Sequence, residues 1–350
     1  MPTLPPKNNP YLFGHEQAEA QLLNDFSSGK LAHGWIISGP EGIGKATLAH
    51  RFARTLLSGL KPGDITPDHP VFQRISAGSH SDFLRLEPLF DSKKDEFVRD
   101  ITVEQAREIP QFLSMTPGEG AWRVVIIDSV DALNSNGANA ILKILEEPPP
   151  QAVLMLISHN PGRLLPTIRS RCRQLPLKAL TEHQFNQVIE VSAPDMPAAD
   201  VATLGQLTNY SPGLASTLYE QGAIAMYHKI IDIFLSLPSL DIAKAHAFAD
   251  AIGYNHGNWR LFARLTLCLL NRIVLEASGL AVEAVSANET KLLDAMARLH
   301  PPELWAAKWQ EAADQFLLAQ RLHLDYKQCV LVFLDSLPSK QEFHIGNAAA

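Results

Sequence analysis

The stretch GWIISGPEGIGKATLAHRFARTLLSG, from Gly34 to Gly59, decides how the chain reads. Trp35, Ile36 and Ile37 make a short apolar run of the kind that forms a buried strand. Gly39 to Gly44 supplies a loop, and Lys45 opens an amphipathic helix that ends near Gly59. Within this stretch Gly39-Pro40-Glu41-Gly42-Ile43-Gly44-Lys45 satisfies G-x-x-x-x-G-K. Glycines at Gly39, Gly42 and Gly44 let backbone N–H groups converge on a phosphate. The following helix directs its positive dipole end at the anion, and Lys45 adds a point charge. The bland alternative is a chance Gly-rich turn, but a strand before and a helix after favour a phosphate loop.

One position departs from the pattern. The residue after Lys45 should be Ser or Thr, whose hydroxyl touches Mg²⁺. Here it is Ala46, and Thr47 comes one residue late. One residue along a helix is a rotation of about 100°, so Thr47 points elsewhere. ATP contact through the backbone and Lys45 is therefore expected, without a hydroxyl to position the metal.

Working outward, Glu16 to Phe26 has helical spacing, and the ten residues at the start read as a loose arm. Lys61 to Asp100 is rich in Pro, His and Asp and reads as irregular. Thr102 to Leu113 reads as a helix, with Thr102 as N-cap and Gln105 three residues on. Arg123 to Ile127 is a second strand, Asn134 to Leu145 a helix stopped by Pro148-Pro149-Pro150, Val153 to Ser158 a third strand and Cys172 to Leu177 a fourth. Short apolar strands alternating with helices imply an α/β fold, a parallel sheet covered by helices. From Thr181 only helices are expected, among them Trp259 to Ala277 and a helical region from Trp305 to Leu337. Trp259, Phe262, Leu265, Leu269, Ile273 and Leu275 form a core-facing stripe. The tail from Ser339 reads as frayed.

Val124-Val125-Ile126-Ile127-Asp128 is an apolar strand ending in a carboxylate, the Walker B pattern, and Asp128 is a candidate for the nucleotide site. A hydrolytic enzyme of this kind carries Glu next, to polarise water. This chain has Ser129, and losing a general base costs about 10² to 10⁴ in rate. Asp131 is displaced by three residues and is not taken as its replacement.

Three further segments, in order along the chain, resemble the clamp-loader branch of the AAA+ ATPases. They are Leu31-Ala32-His33-Gly34, then ANAILKILEEPPP from Ala138 to Pro150, then TIRSRCRQLPL from Thr167 to Leu177 with the triplet Ser170-Arg171-Cys172. The resemblance covers about residues 11 to 220 well and the last helical part weakly. It implies a P-loop AAA+ module over residues 1–178, a helical lid over 179–221 and a helical collar for oligomerisation over 222–350. It also implies that Arg171 acts as an arginine finger, projecting in trans into a neighbour's ATP site. Such fingers contribute about 10³ to 10⁵ in rate. The bland reading of Arg171 is a sheet-end salt bridge to an acidic residue. Tyr210-Ser211-Pro212-Gly213-Leu214 lies at the sensor-2 position without its usual Arg, and Ser158 falls near sensor 1.

With Ala46 and Ser129 where catalytic groups belong, the chain resembles a weakly or non-hydrolytic member of that branch. The implied partners are the gamma/tau and delta subunits, the beta sliding clamp and, through the complex, primer–template DNA. Any polymerase activity belongs to the complex. A catalytically active gamma/tau-like motor ATPase is the main alternative, and a P-loop small-molecule kinase a more distant one.

Composition sets the outer bounds. In 350 residues, 46% are hydrophobic, so a sizeable core is affordable. A formal charge of -7 argues against gripping nucleic acid by bulk positive charge. Arg123, Lys143 and Lys178 are candidate contacts to DNA phosphate, the minority reading at this net charge. Cys172, Cys268 and Cys329 stand far apart, with no Cys between Lys45 and Arg171, so neither a disulfide framework nor a zinc site is expected. His69 and His80 read as solvated loop residues rather than metal ligands. No metal site, signal peptide or membrane span is evident, and a reduced, cytoplasmic setting is the expectation.

Overall fold

A computed structural model describes residues 4–88, 90–91, 96–97, 101–133, 135–237, 241–253 and 255–337. The expected frayed tail lies outside them. The described chain divides into two compact units. One comprises residues up to Pro194 together with Tyr210–Leu214. The other comprises Asp195–Asn209 and everything from Ala215. The segment 179–221, expected as a lid, is thus shared between the two.

The first unit is built on five parallel strands: β1 (Gly34–Ser38), β2 (Phe83–Leu86), β3 (Arg123–Asp128), β4 (Ala152–Ser158) and β5 (Arg173–Pro176). Their order across the sheet is β2-β3-β4-β1-β5. The central strands β1 and β4 are buried along their whole length, because helices cover both faces. Side chains alternate across the pleat. Trp35, Ile37, Val124, Ile126, Val153 and Met155 face one layer, with α1 (Glu16–Ser27), α2 (Lys45–Ser58) and α3 (Pro70–Ala77). Ile36, Val125, Ile127, Leu154 and Leu156 face the other, with α4 (Val103–Ser114) and α5 (Ser135–Glu146). Such a doubly covered sheet is the expected α/β class.

Several local expectations change. The stretch from Lys61 is not irregular throughout: it holds α3 and the edge strand β2, which pairs with β3. Asp82, just before β2, is buried and accepts from the backbone N–H groups of Gly118, Glu119 and Gly120. That contact fixes the loop leading into β3 and holds the Asp82 carboxyl below its ordinary range, against the opposing effect of burial. His69, partly exposed, caps α3 by accepting from Val71 N, and His80 is buried rather than solvated. The opening arm is tied down as well. Lys7 O accepts from Arg54 and Ser76, and Asn9 O from Arg54. Arg123 is buried and caps the end of α4 through Phe112 O and Met115 O, so it is not a contact for DNA phosphate. Thr102 and Gln105 form the expected capping box at the start of α4.

After β5 comes α6 (Glu182–Ser192), followed by α7 (Ala198–Thr208), α8 (Pro212–Glu220), α9 (Ala223–Leu235), α10 (Ile242–Ile252), α11 (His256–Ala277), α12 (Ala287–Leu299), α13 (Pro302–Leu322) and α14 (Tyr326–Asp335). In the second unit the α11 stripe from Trp259 through Ile273 is core as expected, while Leu275 is only partly buried; Trp259 stacks on Tyr326 at 4.6 Å. A buried ion pair was not foreseen. Arg272 Nε meets Glu289 Oε1 at 2.7 Å, and Tyr227 Oη donates to the same carboxylate. Val285 N also donates to Glu289, so the buried charge is hydrogen-bonded on all sides and tolerable there. Among the described residues, no helix is long and apolar enough to cross a membrane.

Candidate functional site

The C-terminal ends of β1, β3 and β4 bring the expected nucleotide residues together, as strand-end crevices in open α/β sheets do. β1 ends at Ser38 and the phosphate loop follows, with Gly39, Gly42 and Gly44 all at positive φ. Gly44 is the N-cap of α2 and supplies no side-chain cap, so the first turn of that helix keeps its amide end for an anion. This backbone fits the phosphate part of a nucleotide. Ala46 offers no oxygen to a metal, and Thr47 is buried in α2.

Lys45 is only 3% exposed. Its ammonium donates to Gly39 O at 2.8 Å, to Pro40 O, and to Nδ1 of His159 at 2.9 Å. Burial lowers its pKa to about 8 against the pull of Asp128, Glu41 and Asp131. His159 follows β4. Its backbone N–H donates to Asp131 Oδ2, while Ser158 Oγ donates to Asp131 Oδ1 at 2.8 Å. Ser129 Oγ donates to the same carboxylate at 2.8 Å. Asp131 thus ties the ends of β3 and β4 together, a role its spacing from Asp128 did not reveal. Asp128 ends β3 as expected, and burial raises its pKa although Arg85, His159 and Lys45 pull it down.

A second segment closes on the loop. Asn209 and Tyr210 both take positive φ, which turns the chain so that Ser211 Oγ donates to Glu41 O at 2.6 Å and Gly213 N to Gly42 O at 3.0 Å. A Cβ on Gly42 would lie 2.5 Å from Ser211 Oγ and 2.6 Å from Leu214 N, so only glycine permits this approach.

Arg171 sits at the opposite end of β1. The parallel register pairs Trp35 with Arg173, so Ser170-Arg171-Cys172 lies beside the start of the strand whose far end carries the loop. Four residue steps of about 3.3 Å separate the two ends. Cys172 is buried, its thiol pushed up to about 12 by desolvation, and it is therefore an inert packing group. A Cβ on Gly34 would be 2.9 Å from both Cys172 Sγ and Leu145 Cδ2, which explains a glycine at the head of β1. The Arg171 side chain is 34% exposed. Its Nη2 meets Glu146 Oε1 at 2.7 Å, and its Nη1 donates to Thr167 O at 3.0 Å. Glu146 ends α5, so the Glu-Glu-Pro segment and the Ser-Arg-Cys segment meet here.

Residues 14–181 match the sequence model of the family described as DNA polymerase III, delta subunit. A Pseudomonas aeruginosa protein, DNA polymerase III subunit delta', is 36% identical over 203 residues, 57% of this chain and 60% of that protein. Over this region the chain is similar to a DNA polymerase III delta' subunit. The Escherichia coli DNA polymerase III subunit tau is 31% identical over 180 residues, 51% of this chain and 26% of that protein. The chain thus spans about three-fifths of the length of the delta-prime-type relative it matches. Among solved structures, a Thermotoga maritima DNA polymerase III gamma-subunit-related protein is 17% identical, covering 92% of this chain and 97% of that one with a TM-score of 0.46.

Proposed function

We propose that the chain works as a delta-prime-type subunit of the DNA polymerase III clamp loader, helping to place the beta sliding clamp on primed DNA. In this reading it assembles with gamma/tau and delta in the cytoplasm through the helical region over 222–350. It lends Arg171 to ATP held by a neighbour and turns over little or none of its own. Bound at a neighbour, ATP supplies the phosphoryl group, and the guanidinium of Arg171 would stabilise the charge that builds on it.

The observation that carries this reading is the position of Arg171. It stands at the opposite end of the sheet from its own phosphate loop, 34% exposed, with Nη2 paired to Glu146 and Nη1 donating to Thr167 O. A cation placed there serves phosphoryl chemistry in another chain or none. The loop's own endowment agrees: Gly39, Gly42, Gly44 and Lys45 can cradle phosphate, but Ala46 and Ser129 replace the groups that position metal and water. Any nucleotide held there by these residues and Asp128 would be bound rather than hydrolysed. The Glu146 contact also fits the bland salt-bridge reading of Arg171, but an ion pair this exposed contributes only about 0.2–1 kcal/mol to stability. Orientation is the better account of it.

The test is turnover by the purified chain alone. The reading expects little or no Mg²⁺-dependent ATP hydrolysis. Clear hydrolysis that disappears in Lys45→Ala would instead establish a motor-type ATPase.

A further inference from the structure

The phosphate loop carries a complete Gly-x-x-x-x-Gly-Lys and an uncapped helix end, yet its cation is already engaged within the chain. Two of its partners are carbonyls of the loop itself. The third, His159, comes from the end of β4 and is 114 residues away. His159 is no incidental neighbour, because Asp131 fixes its backbone through the His159 N–H and fixes the adjacent Ser158 through its hydroxyl. Desolvation and the charge of Lys45 hold the His159 imidazole below its ordinary pKa, so at neutral pH it is uncharged and Nδ1 can accept from the ammonium. The tautomer this requires carries its proton on Nε2.

We infer that His159 is an internal gate on the phosphate loop: by holding Lys45 Nζ it withdraws the loop's cation from polyphosphate anions, and its removal would unmask a triphosphate-binding site. The geometry is specific. An anion drawn to the loop amides needs the ammonium on its own side, and Lys45 cannot hold Nδ1 of His159 and face that anion with the same N–H. Binding the anion exchanges one charge-assisted bond of the ammonium, to Nδ1, for another, to phosphate, so a single side chain can tip the balance. The gate concerns this chain's own loop and stands or falls independently of whether Arg171 acts in trans.

The experiment is equilibrium binding of inorganic tripolyphosphate, and of a fluorescent ATP analogue without Mg²⁺. The proteins compared are the full chain, His159→Ala, Lys45→Ala and the double variant. His159→Ala should bind both probes at least tenfold more tightly than the unaltered chain, and adding Lys45→Ala should abolish the gain. A His159→Ala variant that folds and binds no better overturns the inference, as does a gain that survives in the double variant. A second reading needs no variant. The ¹⁵N shifts of His159 in the unaltered chain should show an unprotonated Nδ1 and a proton on Nε2. A proton on Nδ1 would remove the gate whatever the variants do.

Discussion

The two ends of the parallel sheet each carry a cation suited to phosphate, and they treat it in opposite ways. At the C-terminal end Lys45 is 3% exposed and satisfied by two loop carbonyls and His159. At the N-terminal end Arg171 is 34% exposed, with Glu146 on one terminal nitrogen and Thr167 O on the other. One cation is withdrawn and the other displayed. The difference separates two functions that a motif search runs together. A complete phosphate-loop pattern says that the backbone can cradle an anion. Whether the chain does chemistry on that anion depends on the hydroxyl, carboxylate and free ammonium around it, and here Ala46, Ser129 and the His159 contact all point away from it.

The sharpest way to strain this contrast is to keep the charge at the displayed end and change its shape. Arg171→Lys preserves a cation but loses the planar fork, so it cannot brace on Glu146 and face a phosphoryl group together. In a complex reconstituted with gamma/tau and delta, DNA-stimulated ATP turnover should fall by about 10² or more. Turnover near that of the unaltered complex would mean that charge alone matters and that the brace is incidental.

The withdrawn end offers a stability test of next rank. His50, on α2 behind the loop, is buried with neither ring nitrogen partnered. Burial first, then Arg85 and Arg54, lowers its pKa to about 3. The unfolded chain takes up a proton near the ordinary value of 6.5 while the folded chain does not. Stability should therefore fall as pH drops from about 6.5 towards 3, by at most about 1.4 kcal/mol per pH unit from this group. Denaturant unfolding across that range should show the slope, and His50→Phe should flatten it. An unchanged slope in the variant would place the acid sensitivity elsewhere.

The smallest effect belongs to the brace. Glu146→Ala removes a partly exposed ion pair and should leave thermal stability within about 1 kcal/mol. It should nevertheless reduce turnover of the reconstituted complex a few-fold, through a guanidinium that is less well placed. A loss of stability without loss of turnover would reduce Glu146 to a structural contact.

Much of this was legible in the residues. Pattern and context together placed the phosphate loop, the buried strands and the Thr102–Gln105 capping box, because each depends on neighbours within a few positions. β2 was not legible. Phe83–Leu86 is four residues long, carries Arg85, and follows a polar run, so nothing local marks it; its place comes from pairing with β3. Arg123 is a candidate contact for DNA phosphate in the sequence because its partners, Phe112 O and Met115 O, become neighbours only once α4 packs beside β3. The same holds at the site. The loop glycines and Lys45 announced themselves, whereas a lone His after a strand and an Asp three residues past Asp128 have no spacing signature. Their roles arise from contacts between the ends of β1, β3 and β4. Likewise Glu146 and Arg171 are 25 positions apart in sequence, and the helix end and the sheet end they occupy bring them to 2.7 Å.

The most direct measurement is DNA-stimulated ATP turnover by a clamp-loader complex assembled with Arg171→Ala. The account expects normal assembly by gel filtration and a large loss of turnover, consistent with a finger that contributes about 10³ to 10⁵ at the site it serves. An intact complex that hydrolyses ATP at the unaltered rate would contradict it.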